Sequence, residues 1–159
     1  MSARRYAIAD EPLPGAAARF IVNPIWPVLA TMIVGGLPGL AWLALNGFAL
    51  GSPTRVREAV LCAAGIALAF AVLWGTHLAH EAGWLSTQLA RYVLLLALVS
   101  KLACAYRACF MQQRAIELYQ YYGGRVANGL IPLLVGAFFL APVLSRGVTT
   151  PWLRNLVLS

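Results

Sequence analysis

The stretch 59-AVLCAAGIALAFAVLWGTHLA-79 contains no carboxylate, ammonium or guanidinium group. About 20 consecutive apolar residues cross the ~30 Å hydrocarbon core of a bilayer, so this run predicts a transmembrane helix. The rest of the chain lacks the polar surface to cover it in water. Of 159 residues, 61% are hydrophobic and only 11% charged, where a soluble globule carries about a quarter charged. The expected fold class is all-α: an integral membrane helical bundle forming one domain over residues 1–159.

Working outward, the second helix is expected over 59–80 and a third over 87–122. A fourth is expected over 126–144, interrupted by Asn128, Pro132, Gly136 and Pro142. Ser86, Thr87 and Gln88 can satisfy the first free amides of the third helix. At 1.5 Å per residue that helix measures roughly 50 Å, so its last part should leave the bilayer. Lys101, Arg107, Gln112, Gln113, Arg114, Glu117 and Gln120 suit such a cytoplasmic extension. These three segments are expected to span. Residues 1–20, with Arg4, Arg5, Asp10, Glu11 and Arg19, read as a retained polar tail, because no apolar core precedes a small-residue cleavage site. Residues 148–159, with Pro151, Trp152 and Arg154 among leucines, suit the membrane surface.

The first apolar segment, 25–50, is long enough to span but carries Gly35-Gly36-Leu37-Pro38-Gly39 at its centre. Proline removes a backbone donor and glycine weakens a helix on either side of it. If all four segments cross, Arg4, Arg5, Arg19, Arg91, Arg146 and Arg154 face one side, and Arg55, Arg57, Lys101, Arg107, Arg114 and Arg125 the other. That even split violates the usual excess of basic residues on the cytoplasmic side. If the first segment instead turns back at Gly35 to Gly39, only Arg91, Arg146 and Arg154 lie outside. The segment is therefore expected either to span or to be re-entrant, and Gly35, Gly36, Pro38 and Gly39 become candidate ligand contacts.

In the second helix small residues recur every four positions: Ala59, Ala63, Ala67, Ala71, Gly75, Ala79 and Gly83. Small residues let helix backbones approach closely, which drives association in lipid. This ladder is the expected packing interface with other membrane helices. Enlarging Ala71 or Gly75 should disrupt assembly more than trimming Leu68 or Leu73.

Few residues suggest chemistry. His77, His80 and Glu81 share one side of a helix, by their i, i+3, i+4 spacing. A zinc or non-haem iron site needs more ligands than these, and the other acidic residues, Glu58 among them, are expected at polar ends elsewhere. No metal or cofactor is expected; the cluster and Arg91 are candidate polar contacts at the outer interface. Lys101 and Arg107 lie deep enough along the third helix to be candidate transport contacts. The favoured alternative is that both stretch to the cytoplasmic headgroups. Cys62, Cys104 and Cys109 form no metal or redox motif. No nucleophile elbow, phosphate loop or metalloprotease signature occurs, so no enzymatic activity is expected.

Gly35-Gly36-Leu37-Pro38-Gly39, followed by Leu43, Asn46, Leu50-Gly51 and basic residues, resembles a group of small bacterial inner-membrane proteins without assigned activity. The likeness covers about residues 20–60, with a fainter echo over 113–124, and departs at Ser52, where a basic residue is usual. It implies a bacterial inner membrane and no mechanism.

The net charge of +7 beside apolar segments suits anionic lipid headgroups rather than nucleic acid. The expected partners are therefore the lipid bilayer and other membrane-protein subunits, or further copies of the chain. Two functions fit: a non-catalytic accessory or assembly subunit, and, as the alternative, a homo-oligomeric channel or carrier for a small anionic solute.

Overall fold

The computed structural model describes Pro12 and residues 15–143, and over them the protein is helical. A short 3-10 turn, Ala16–Phe20, leads into α1 (Ile25–Ile33), α2 (Gly36–Leu50), α3 (Arg55–Glu81) and α4 (Thr87–Tyr121). The fifth helix, α5, runs over Leu130–Val143. Two helical segments, Arg55–Glu81 and Gln88–Tyr121, are long and apolar enough to cross a membrane, and only 28% of the apolar window of each is buried inside the protein. The fourth apolar stretch is shorter as a helix than the sequence suggests. Its first residues are extended, because the Ala127 amide bonds to the Ile21 carbonyl at 2.7 Å beside the Val22 and Ala127 backbone pairing. Near its end Pro142 lacks the donor that would bond the Phe138 carbonyl, and Gly136–Leu140 is a wide π turn. The tails 1–11 and 144–159, with the surface-helix expectation for 148–159, lie outside the described residues.

The first apolar segment is two helices, not one. Gly35 has φ 134° and ψ 157°, a conformation side chains strongly disfavour, and there the chain reverses. Past the turn the helices run side by side. A Cβ on Gly39 would strike the Thr31 backbone and methyl group, and at the open end Asn46 bonds both backbone groups of Val22. The start of α1 and the end of α2 thus lie together at one end of the molecule, the base. Gly51, left-handed at φ 65°, ends α2 and lets the Ser52 amide bond back to the Gly47 carbonyl.

The α1–α2 hairpin packs into the α3–α4 pair. The inner line of α3 is Glu58, Cys62, Gly65, Ala69, Leu73 and Thr76, spaced by threes and fours that average the 3.6-residue turn and so stay on one face. On α4 the matching line is Ala97, Lys101, Ala105, Ala108, Gln112 and Ala115. Leu40 and Leu43 of α2 join Val28, Cys62, Ala105, Ala108 and Cys109 in the central cluster. At Gly65 three helices meet: a Cβ there would come within 3.1 Å of Cys104 Cβ and 3.4 Å of Leu40 Cδ1. The fifth helix runs alongside α1, Gly129 against Trp26 and Gly136 against Val34. Leu133 packs with Ala30 and Val34.

Candidate functional site

Two buried polar places stand at opposite ends of α2. At the base, the Asn46 side chain closes the hairpin with three hydrogen bonds. Its Oδ1 accepts from the Val22 amide at 2.9 Å, and its Nδ2 donates to the Val22 carbonyl at 3.0 Å and to Gln112 Oε1 at 2.9 Å. Gln112 in turn donates through Nε2 to the Leu43 carbonyl at 2.7 Å. Beside it Glu58, wholly buried, accepts on Oε1 from Ser52 Oγ and from Thr54 Oγ1, each at 2.6 Å. Its other oxygen, Oε2, has no hydrogen-bond partner among the described residues. A Cβ on Gly47 would strike Oε2 and come within 3.0 Å of Gln112 Nε2, so the bare glycine backbone is what admits both groups.

The tip of the hairpin holds the second place. Lys101 is 2% exposed, and its side chain crosses the start of α2, where a Cβ on Gly36 would strike Nζ, Cε and Cδ. The expected reach of Lys101 to the headgroups is therefore overturned, because the hairpin tip covers the side chain. Arg107 differs: it is exposed and faces a surface groove of about 570 Å³ with Ser52, Pro53, Thr54, Arg114 and Glu117. Lys101 and Arg107 therefore do not line one path. Gly35, Gly36 and Gly39 are buried and Pro38 half-buried at the turn.

Glu58 also departs from expectation, since it sits in the core rather than at a polar end. Asn46, Glu58 and Gln112 are the residues sequence reasoning missed as a group. A signal for Gln112 was present: it falls on the same three-and-four spacing as Ala97, Lys101, Ala105, Ala108 and Ala115.

The small-residue ladder points elsewhere. Ala63, Ala67, Ala71, Gly75 and Gly83 are exposed, Ala59 and Ala79 half-buried, and a Cβ on Gly75 would meet nothing within 4 Å. A strict four-residue step advances 400°, so the ladder drifts about 40° per step and winds around the helix instead of following one face. Leu73, 5% exposed, belongs to the inner line, which makes Leu68 the better control in any test of the ladder.

At the far end of α3, His77 Nε2 lies 3.4 Å from Glu81 Oε1, and His80 Nδ1 lies 3.1 Å from the Leu85 carbonyl. Arg91 is exposed. Among the described residues no three His, Cys, Asp or Glu side chains gather as a metal site, and the three cysteines are free thiols. The described basic residues are unevenly placed. Arg19, Arg55, Arg57, Arg107, Arg114 and Arg125 lie toward the base, whereas Lys101 lies at the hairpin tip and Arg91 toward the opposite end.

No protein-family model matches this chain, and neither a curated protein nor a solved structure is found similar to it.

Proposed function

We propose that the chain is a multi-pass protein of a bacterial inner membrane, serving as a non-catalytic accessory or assembly subunit that docks other membrane helices on the outer face of α3. The observation that carries this reading is the division of labour on α3. Its inner line already packs α2 and α4, yet the small residues Ala63, Ala67, Ala71 and Gly75 face outward with open space at Gly75. Close backbone approach by a further helix needs such a surface. Large apolar side chains around it, Leu68, Phe70, Trp74, Leu95, Leu96 and Val99, are exposed as well, which suits lipid contact.

In this reading α3 and α4 cross, and the α1–α2 hairpin enters and leaves on the cytoplasmic side. Support comes from the return of α2 to the level of Val22 and from the basic residues at the base, which match the positive-inside bias. Irregular backbone such as the Gly35 turn is tolerated at membrane depth when covered by protein, as Gly35 and Gly36 are. In a cysteine-free background, cysteines replacing Gly15 and Pro53 should both react with an impermeant reagent from the same side, and one replacing Gln88 from the other. Ser52 is unsuitable as a label site, being 1% exposed and bonded to Glu58. Opposite sidedness of Gly15 and Pro53 would refute the re-entrant hairpin.

The accessory role is tested by purification in mild detergent with mass measurement. Foreign subunits should co-purify with the wild-type chain and be lost from Ala71→Leu or Gly75→Leu but retained by Leu68→Ala. A homo-oligomer without other subunits would overturn it in favour of a channel or carrier.

A further inference from the structure

We propose that the groove between the Ser52-Pro53-Thr54 turn and α4 holds the headgroup phosphate of one anionic phospholipid from the cytoplasmic leaflet, gripped by Arg107 and Arg114. This rests on the membrane orientation proposed above and is independent of the docking role of α3.

One wall of the groove is fixed from within. Ser52 and Thr54 both donate to Glu58 Oε1, the Thr54 amide donates to Ser52 Oγ at 3.3 Å, and the two hydroxyl oxygens lie 3.1 Å apart. The turn is thereby pinned to the buried carboxylate, with Pro53 exposed. The other wall is α4. Arg107 and Arg114 are seven residues apart, which puts them about 10 Å apart along the helix axis and about 20° apart around it. Both are exposed and line the groove, so their long side chains can close on one group between them. Phe110, 65% exposed, and Met111 line the groove over the same two turns.

Size and charge suit a phosphodiester. The groove volume of about 570 Å³ falls within the roughly 300–1,000 Å³ of small-ligand sites. Its described lining carries two guanidiniums and one carboxylate, Glu117, a surplus of one positive charge against the single negative charge of the diester. Guanidinium groups meet phosphate oxygens in bidentate, charge-assisted hydrogen bonds. Depth favours a lipid over a soluble anion. Arg107 stands nineteen residues along α4 from Gln88, about 29 Å at 1.5 Å per residue, which is the thickness of the hydrocarbon core. With Gln88 at the outer edge, Arg107 is level with the cytoplasmic headgroups. One turn nearer the membrane centre, the exposed Tyr106 ring lies 6.5 Å from that of Phe110, so acyl chains leaving a held phosphate meet aromatic surface. An acidic protein segment would match the charge and leave those rings uncovered.

The test uses the full chain purified in detergent and stripped of lipid, with bound lipid counted by native mass spectrometry. Phosphatidylglycerol, phosphatidylcholine and inorganic phosphate are the probes. The expected result is one phosphatidylglycerol held per chain, about tenfold or more tighter than phosphatidylcholine and not displaced by inorganic phosphate. Arg107→Gln and Arg114→Gln should each weaken that binding by about tenfold, through loss of charge-assisted hydrogen bonds. Arg57→Gln, at an exposed basic residue outside the groove lining, should change it by less than about twofold. Equal losses from all three variants mean diffuse attraction to a basic end and overturn the site, as do equal retention of the two lipids and displacement by inorganic phosphate. Should an arginine variant fail to fold, the wild-type chain decides. Photoreactive phosphatidylglycerol should label it at Phe110 or Met111, and labelling confined to other segments refutes the site. Neither readout depends on the sidedness of Gly15 and Pro53, so a wrong orientation and an empty groove give different results.

Discussion

The base and the tip of the α1–α2 hairpin solve opposite problems with similar materials. Both bury polar groups from α2 and α4 behind glycines that admit them. At the base, Asn46 and Gln112 spend their hydrogen-bonding capacity on backbone groups and on each other, and Ser52 and Thr54 hold one oxygen of Glu58. At the tip, the Lys101 side chain lies against the bare backbone of Gly36, with no comparable network around it. A buried polar cluster whose members bond one another and the backbone fixes a structure. The base is a clasp, and the tip is a single lysine laid across a bare glycine.

Breaking the clasp should have the largest effect. Asn46→Leu removes three hydrogen bonds and strands both backbone groups of Val22, for an expected loss of about 3–5 kcal/mol in detergent unfolding. Wild-type stability in that variant would mean the base does not hold the hairpin closed. Lys101→Met should act in the other direction. Replacing a buried lysine by an apolar side chain of similar length should stabilise the chain by about 1–4 kcal/mol in detergent unfolding. A loss of stability under those conditions would place the two ends in the same class.

Gly47→Ala sharpens the contrast more gently. Its Cβ would press on Glu58 and Gln112, with an expected cost of about 1–3 kcal/mol. Smallest of all, Gly75→Ala on the open face of α3 should leave unfolding within about 0.5 kcal/mol of wild type. Equal losses from these two glycine variants would show that burial behind Gly47 is not what distinguishes the sites.

Much of the frame was legible because lipid-length apolar runs announce helices directly. The α3 run has no charge to confuse it, and Gly35-Gly36-Leu37-Pro38-Gly39 signalled a break whose turn falls at Gly35, the first residue of the motif. The interior was harder to read. Residue type alone sent Glu58 to a polar end and Gln112 to a solvated extension, yet both are buried, Glu58 against Gly47, 11 residues away along the chain, and Gln112 against Asn46, 66 residues away. Contacts over such separations leave no local pattern. Lys101 misled for a related reason: a lysine with a free stem can reach headgroups, and only the returning hairpin forecloses that path. The four-residue ladder was conspicuous in composition, but the helical pitch places it on an outward spiral while less regular spacing forms the packed line.

The depth of the hairpin turn also shapes the whole body. Among the described residues, the cross-section between Trp26 and Val34 holds all five helices, whereas beyond Gly35 only α3, α4 and α5 continue. Such a body is a wedge, broad at the end bearing Arg55, Arg57 and Arg125 and narrow at the end bearing Trp84. Set in a bilayer, it displaces more lipid from one leaflet than from the other, and so favours a membrane that bends away from its broad end.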